Sequence, residues 1–359
     1  MVQLKHLIKV FDAYTGRRYS MKILLLGGTG TISMAITKLL AAQGHELYLL
    51  NRGNRNAGLP ENVRIITANL ENEEETTEKL AGMTFDCVGE FIGFVPSQVE
   101  RDYRLFKDKT RQYIYISSAS TYQKPPKGYV ITEDTPLENP YWEYSRNKIA
   151  CEEYLMERCR KDGFPVTIVR PSHTYDERSV PMGVHGSKGS WQVVRRIREG
   201  RPVIIHGDGT SLWTITHNSD FAVAYTGLIG NEKAIGEAFH ITTDESVSWN
   251  ELYGYVAEAL GVELKACHIA SETLAATGRY DFTGSLIGDK ANSVVFDNSK
   301  IKKLVPSFAA KVTAREGIIN TVRYILDHPE YQIPDEEFDS WCDSVISAAE
   351  RSVAELRSI

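Results

Sequence analysis

Apolar positions along the chain follow two rhythms. Between Met21 and Arg170, short unbroken apolar runs alternate with longer segments whose apolar residues recur every three or four positions. Runs of the first kind are "KILLL" (22–26), "HELYLL" (45–50), "NVRIITANL" (62–70), "FDCVGEFIGF" (85–94), "QYIYISS" (112–118) and "PVTIVR" (165–170). Segments of the second kind are "TISMAITKLLAAQG" (31–44), "NEEETTEKLAG" (72–82), "VERDYRLFKD" (99–108) and "EYSRNKIACEEYLMERCRKDG" (143–163). Continuous apolar strands separated by helices predict a parallel sheet covered on both faces. Gly44 and Gly163 stand where a left-handed helix terminus is expected. After Arg170 the rhythm breaks. A turn-rich stretch (171–190) precedes helical segments at 191–200, 220–230, 249–261, 314–328 and 334–359, with a strand at 202–209.

Composition narrows the function classes. The formal charge of −6 over 359 residues lacks the basic excess that a phosphate backbone selects. Five scattered cysteines form no CxxC pair, and the nine histidines form no HxxxH or His/Cys cluster. That pattern predicts no metal site and fits a reducing, cytoplasmic setting. No apolar run approaches the roughly 18 residues of a membrane span. Residues 1–20 precede the first strand and are expected to form an extension outside the core.

"LLLGGTGTIS" places Gly27 and Gly30 between the first strand and the first helix. Small residues there let the backbone approach a pyrophosphate at a helix N-terminus. The usual third glycine is Ser33, small enough to keep helix and sheet close. At the end of the second strand, an acidic residue would bind the adenine ribose; here stand Asn51, Arg52 and Arg55. A neutral residue and a guanidinium suit a 2′-phosphate, which favours NADP; solvated loop charges are the other reading of the two arginines.

Tyr144 and Lys148 share a helix face at i and i+4. An ammonium lowers the pKa of a nearby tyrosine, which can then exchange a proton with a substrate hydroxyl while hydride passes to or from a nicotinamide. The spacing also occurs at Tyr103 and Lys107, so context decides. Tyr144 follows a strand whose C-terminal end presents Ser117, Ser118 and Ser120, the end where parallel sheets bind ligands. Tyr103 precedes that strand and is expected to be structural.

Together "GGTGTIS", "YIYISSASTY", "YSRNK", "IVRPSHTY", "HGDGTSLWTITHNSDFA" and "FHITTDESVSWNELYGYVAEALG" resemble extended short-chain dehydrogenases/reductases of the NAD-dependent epimerase/dehydratase family, over about residues 21–330. The resemblance implies a Rossmann-type doubly wound sheet with a smaller C-terminal substrate-binding α/β domain. The dinucleotide domain would cover 21–175 with about 217–242. The substrate domain would cover about 176–216 and 243–333, ahead of a C-terminal helix, 334–359. It also implies NAD(P) as cofactor and a sugar or nucleotide-sugar substrate. Ser118 would orient the substrate hydroxyl, Tyr144 act as general acid/base, and Lys148 hold the nicotinamide ribose. Thr31 and Ile32 would meet the pyrophosphate, Asn51 and Arg52 the adenosine ribose, and Asn69 and Leu70 the adenine. Phe91, Ile92, Gly93 and Ser117 would line the cofactor groove, with Pro171 and His173 near the nicotinamide. Ser120 and Trp213 would face the substrate. Family members commonly pair through the helices at about 99–107 and 144–160, so a homodimer is expected.

Departures concern the substrate. Trp213 stands where sugar-nucleotide members carry a diphosphate-gripping arginine, and His173 where asparagine is common. Lys188, Arg195, Arg196 and Arg198 either replace that grip or form a solvated helix face. "SSAST" lacks the Thr-Asp-Glu run of the 4,6-dehydratases, which disfavours dehydration and leaves epimerase or carbonyl reductase. A second reading is a nucleotide- or RNA-binding protein. "GGTG", "NRG" and "FDCVGEFIGFVPSQV" also resemble the chloroplast stem-loop-binding proteins, which are associated with RNA. The acidic balance and the Ser118–Tyr144–Lys148 set weigh against it.

Overall fold

A computed structural model describes residues 20–359, so the expected extension lies outside the described residues. Seven parallel strands form the central sheet: β1 (Lys22–Leu26), β2 (Glu46–Asn51), β3 (Val63–Thr67), β4 (Cys87–Glu90), β5 (Tyr113–Ile116), β6 (Val166–Pro171) and β7 (Ala238–Ile241). Their spatial order is 7-6-5-4-1-2-3. β1 therefore pairs with both β2 (Leu24 beside Tyr48) and β4 (Leu24 beside Val88). The strand order reverses there, and a crevice opens beyond the strand ends. β7 is four residues long and pairs with β6; periodicity alone does not set so short a strand apart.

Helices cover both faces. α1 (Ser33–Ala42) and α6 (Asn218–Leu228) bury Ile36, Leu39, Leu40, Phe221 and Leu228 against one face. α2 (Glu73–Lys79) is short; α3 (Pro96–Phe106) and α4 (Glu143–Asp162) bury Val99, Phe106, Cys151 and Leu155 against the other. α4 ends at Gly163, whose φ of +71° is the left-handed cap expected of that glycine.

A third apolar cluster joins α5 (Trp191–Arg198), α7 (Trp249–Leu260), α8 (Ala314–Asp327) and α9 (Glu336–Leu356). Short strand pairs stitch it to the sheet, among them His173–Tyr175 with Ile215–His217, and Val130–Ile131 with Val295–Phe296. A π-helical segment, Thr283–Lys290, projects beside the sheet's C-terminal edge. Asn139 fastens it there, donating to the carbonyls of Ser120 (2.8 Å) and Gly288 (2.7 Å).

Candidate active site

The glycine turn leaves β1 with Gly27 and Gly28 at φ of +105° and +84°. Such angles favour glycine. A Cβ on Gly28 would lie 2.5 Å from Leu49 Cδ2, and one on Gly27 3.2 Å from Ile92 Cγ2. Gly28 is thus at least as demanding as Gly27, whereas a Cβ on Gly30 would meet nothing nearer than Ser33 Oγ at 3.5 Å. Ser33 accepts the Gly30 amide at 2.9 Å, and Thr37 donates to the Gly28 carbonyl at 2.8 Å. Asn218, opening α6, donates to the Thr31 carbonyl at 2.9 Å. The turn is therefore held open with exposed backbone and Thr31 at its edge, a cradle that suits a pyrophosphate.

Along the rim, the Asn51 side chain shapes its own loop. It accepts the Gly53 amide at 2.7 Å and donates to Asn56 at 3.0 Å. Arg52 and Arg55 are exposed. Neither is among the ion pairs and side-chain hydrogen bonds formed by the described residues, so both guanidiniums remain free for an anion. Asn69 is exposed, whereas the Leu70 side chain lies in the core and leaves only its backbone for a ligand. Phe91 packs on Tyr225, Ile92 is exposed, and the Gly93 carbonyl accepts from Tyr115 (3.0 Å) and Lys148 (2.7 Å). Ser117 differs from expectation. It is buried and its hydroxyl donates to Glu152, which Arg170 also holds, so its side chain is spent on packing.

α4 brings Tyr144, Ser145 and Lys148 to the end of β5. Ser118 lies beside Tyr144 and is hydrogen-bonded to Ser120 at 2.9 Å; Ser145 donates to Ser120 at 2.7 Å. Lys148 is buried, and its ammonium donates to the carbonyls of Gly93 and Ile116, both at 2.7 Å. Burial pushes its pKa down to about 8. Burial also pushes Tyr144 up to about 12, opposed by the neighbouring Ser118 hydroxyl. The expectation that Lys148 lowers the tyrosine is therefore corrected for the ligand-free protein. The ammonium is occupied by two carbonyls, 5.8 Å from the Tyr144 ring centre, while desolvation dominates at the hydroxyl. The second pair is elsewhere: Tyr103 donates to Asp162 at 3.1 Å and packs on Tyr154 and Phe164 between α3 and α4.

Ser118, Ser120, Tyr144, Pro171, His173 and Trp213 line one cavity of about 290 Å3. Trp213 is buried and donates its indole N–H to His173 Nδ1 at 3.3 Å. Burial pushes His173 down to about 3, so it is neutral, with its proton on Nε2. A second cavity of about 190 Å3 meets the first at His173 and reaches Thr31, linking the substrate side to the glycine turn. The α5 arginines do not serve either cavity. Arg196 is wholly buried between Asp339 and Asp343, and Arg195 pairs with Glu199 and Glu336.

Among the cavity residues that escape the sequence reading are the polar and aromatic side chains of Lys124, Trp142, Asp289 and Lys290. Trp142 precedes Tyr144 closely enough to have been suspected. Asp289 and Lys290 end the π-helical segment, whose sequence carries no periodic signal.

Known proteins resemble the chain in sequence and fold. The family model described as "NAD dependent epimerase/dehydratase family" matches residues 23–242. The 2′-dehydrokanamycin reductase of Streptomyces kanamyceticus is 24% identical over 80% of each chain. The chloroplast stem-loop binding protein of 41 kDa b of Arabidopsis thaliana is 26% identical over 69% of this chain and 65% of its own. The structure of UDP-glucose 4-epimerase from Thermotoga maritima with UDP-glucose superposes with a TM-score of 0.67 at 20% identity, covering 85% of this chain and 98% of that one. With the motif match spanning the whole sheet from β1 to β7, the chain belongs to the NAD-dependent epimerase/dehydratase family.

Proposed function

We propose that the protein is an NAD(P)-dependent epimerase or reductase acting on a hydroxyl or carbonyl carbon of a sugar or nucleotide sugar. The observation that carries this reading is Tyr144 beside Ser118 on the wall of a cavity, with Lys148 one helical turn away. The glycine cradle, the free Arg52 and the exposed Ile92 fit a dinucleotide, with NADP favoured over NAD. A bound nicotinamide supplies or accepts the hydride at the substrate carbon.

The chain's own residues manage the proton. Tyr144, protonated at neutral pH like any tyrosine and held so more firmly by burial, gives its phenolic proton to the carbonyl oxygen in reduction and recovers one from the hydroxyl in oxidation. Ser118 is placed to hydrogen-bond the same oxygen, and Ser120 and Ser145 fix the orientation of its hydroxyl. Lys148 is charged below about pH 8 and stabilises negative charge developing on Tyr144. The similarity to a 2′-dehydrokanamycin reductase and to a UDP-glucose 4-epimerase fold supports the sugar class.

Tyr144→Phe removes the transferable proton and nothing else. Turnover is expected to fall by at least about a hundredfold, with cofactor affinity and thermal midpoint unchanged. Full activity in that variant would exclude the assigned acid/base. Cofactor stoichiometry then separates the reactions: an epimerase regenerates its cofactor each turnover, whereas a reductase consumes one reduced cofactor per product.

The likeness to a stem-loop binding protein supports a second reading, RNA association. Submicromolar RNA affinity that weakens with salt, with no turnover of any sugar, would favour it.

A further inference from the structure

We propose that Lys124 and Lys290 form an anion subsite in the substrate cavity, so that the molecule turned over carries a carboxylate or phosphate within reach of Tyr144. The inference rests on the functional reading above and narrows its substrate class.

Lys124 is 4% exposed and lines the cavity. Its backbone N–H donates to the Glu138 carbonyl at 2.8 Å. Among the described residues its ammonium has no hydrogen bond and no ion pair. An unpaired ammonium in a largely buried site is costly, and a ligand that brings the missing charge reduces the cost. Lys290 lies on the same wall, 9% exposed. Its ammonium forms a long ion pair with Asp289 at 3.7 Å and a long hydrogen bond to the Ser285 carbonyl at 3.4 Å, both weaker than well-formed contacts. It also faces the rings of Trp142 and Trp213 at 5.8 and 6.0 Å. Two ammoniums therefore face a single carboxylate, Asp289, and the cavity holds one uncompensated positive charge. Burial lowers the Lys124 pKa, with Asp289 opposing and Lys290 reinforcing, so the three groups sense one another.

Rigidity supports a built site. Lys124 follows the short turn at Ala119–Thr121, beside the Ser118 hydroxyl. Asn139 ties that turn to the segment ending at Lys290. The distance from ammoniums to Tyr144 is thus set by packing. A neutral sugar would leave Lys124 unpaired, whereas a carboxylate or phosphate near the reacting carbon would complete it. Lys124 and Lys290, not Trp213, supply the positive charge in this cavity.

The test is titration of the cofactor-loaded protein with D-glucuronate, D-glucose 6-phosphate and D-glucose. Tryptophan fluorescence reports binding, because Trp142 and Trp213 border the ammonium of Lys290. At least one anionic sugar is expected to saturate below about 50 mM and to bind at least about tenfold more tightly than glucose. Whichever anion binds more tightly identifies the carboxylate or the phosphate. Lys124→Met and Lys290→Met should each weaken that binding about tenfold, and Lys124→Arg should retain it. Thermal melts confirm that the variants fold; a substitution that does not is set aside in favour of the other lysine. Absence of saturation by either anion, an equal response to glucose, or undiminished binding in both methionine variants overturns the proposal. Tyr144→Phe should keep the anion binding. Its loss of turnover with binding intact, or turnover in wild type without anion binding, separates failure of the subsite from failure of the proton mechanism.

Discussion

Lys148 shows how one side chain couples chemistry to stability. Its pKa in the folded protein, about 8, lies below the ordinary lysine value of 10.5 because the ammonium is desolvated. Between those two values the unfolded chain binds more protons than the folded one. Stability contributed by this site therefore rises with pH across that window and is lowest below it, where the buried amine is charged in both states. Thermal melts of wild type and Lys148→Met should show the wild-type midpoint climbing relative to the variant from pH 8 toward 10.5. A constant difference would mean that the amine is not desolvated. Activity should run the opposite way, with kcat/KM declining above about pH 8 as the stabilising charge is lost. Arg52 offers a second residue-scale outcome. Arg52→Ala should weaken NADP binding by roughly tenfold to a hundredfold, the worth of a charge-assisted pair, and leave NAD nearly unchanged. Equal losses for both dinucleotides would assign Arg52 to general electrostatics.

At the scale of elements, α4 and β6 are locked by a buried ion pair. Arg170 donates to Glu152 at 2.6 and 3.0 Å, and both side chains are almost fully buried. Ser145, Lys148, Glu152 and Leu155 share the face of α4 turned to the sheet, so the pair that anchors the helix also positions the residues proposed for proton transfer. Removing one partner leaves an uncompensated buried charge. Arg170→Leu should cost about 3–5 kcal/mol in urea denaturation, and Glu152→Met added to it should recover much of that loss. A single variant costing under about 1 kcal/mol would show that water reaches the pair.

For the whole molecule, α9 closes the third apolar cluster. Asp339 and Asp343 hold the buried Arg196, each at 2.8 Å, and Arg201 as well. Phe338, Cys342 and Ile346 are buried, and Trp341 packs on Tyr280 and Phe282. Deleting residues 334–359 uncovers that apolar surface and leaves Arg196 without its carboxylates. The melting midpoint should drop by at least about 5 °C, and the second half of the chain should become sensitive to protease. An unchanged midpoint would make α9 an appendage.

The order of strands and helices up to β6, the glycine turn and the Tyr144–Lys148 face were legible in the residues, because each rests on local periodicity or on a spacing within one helix. Gly28 was not, because its demand for glycine comes from a left-handed backbone and the approach of Leu49. β7 was not, being four residues whose strand character comes from pairing with β6. Nor was the destination of Ser117, which depends on Glu152 approaching from α4. The sequence by itself determined the scaffold and the pair proposed for proton transfer, since the forces behind them act between near neighbours. Only the tertiary structure decided the electrostatics. Desolvation raises Tyr144 and lowers Lys148, and the cavity gathers Lys124, Asp289 and Lys290 from segments more than 150 residues apart. Burial and charge pairing are properties of what surrounds a residue, and those surroundings exist only in the folded chain.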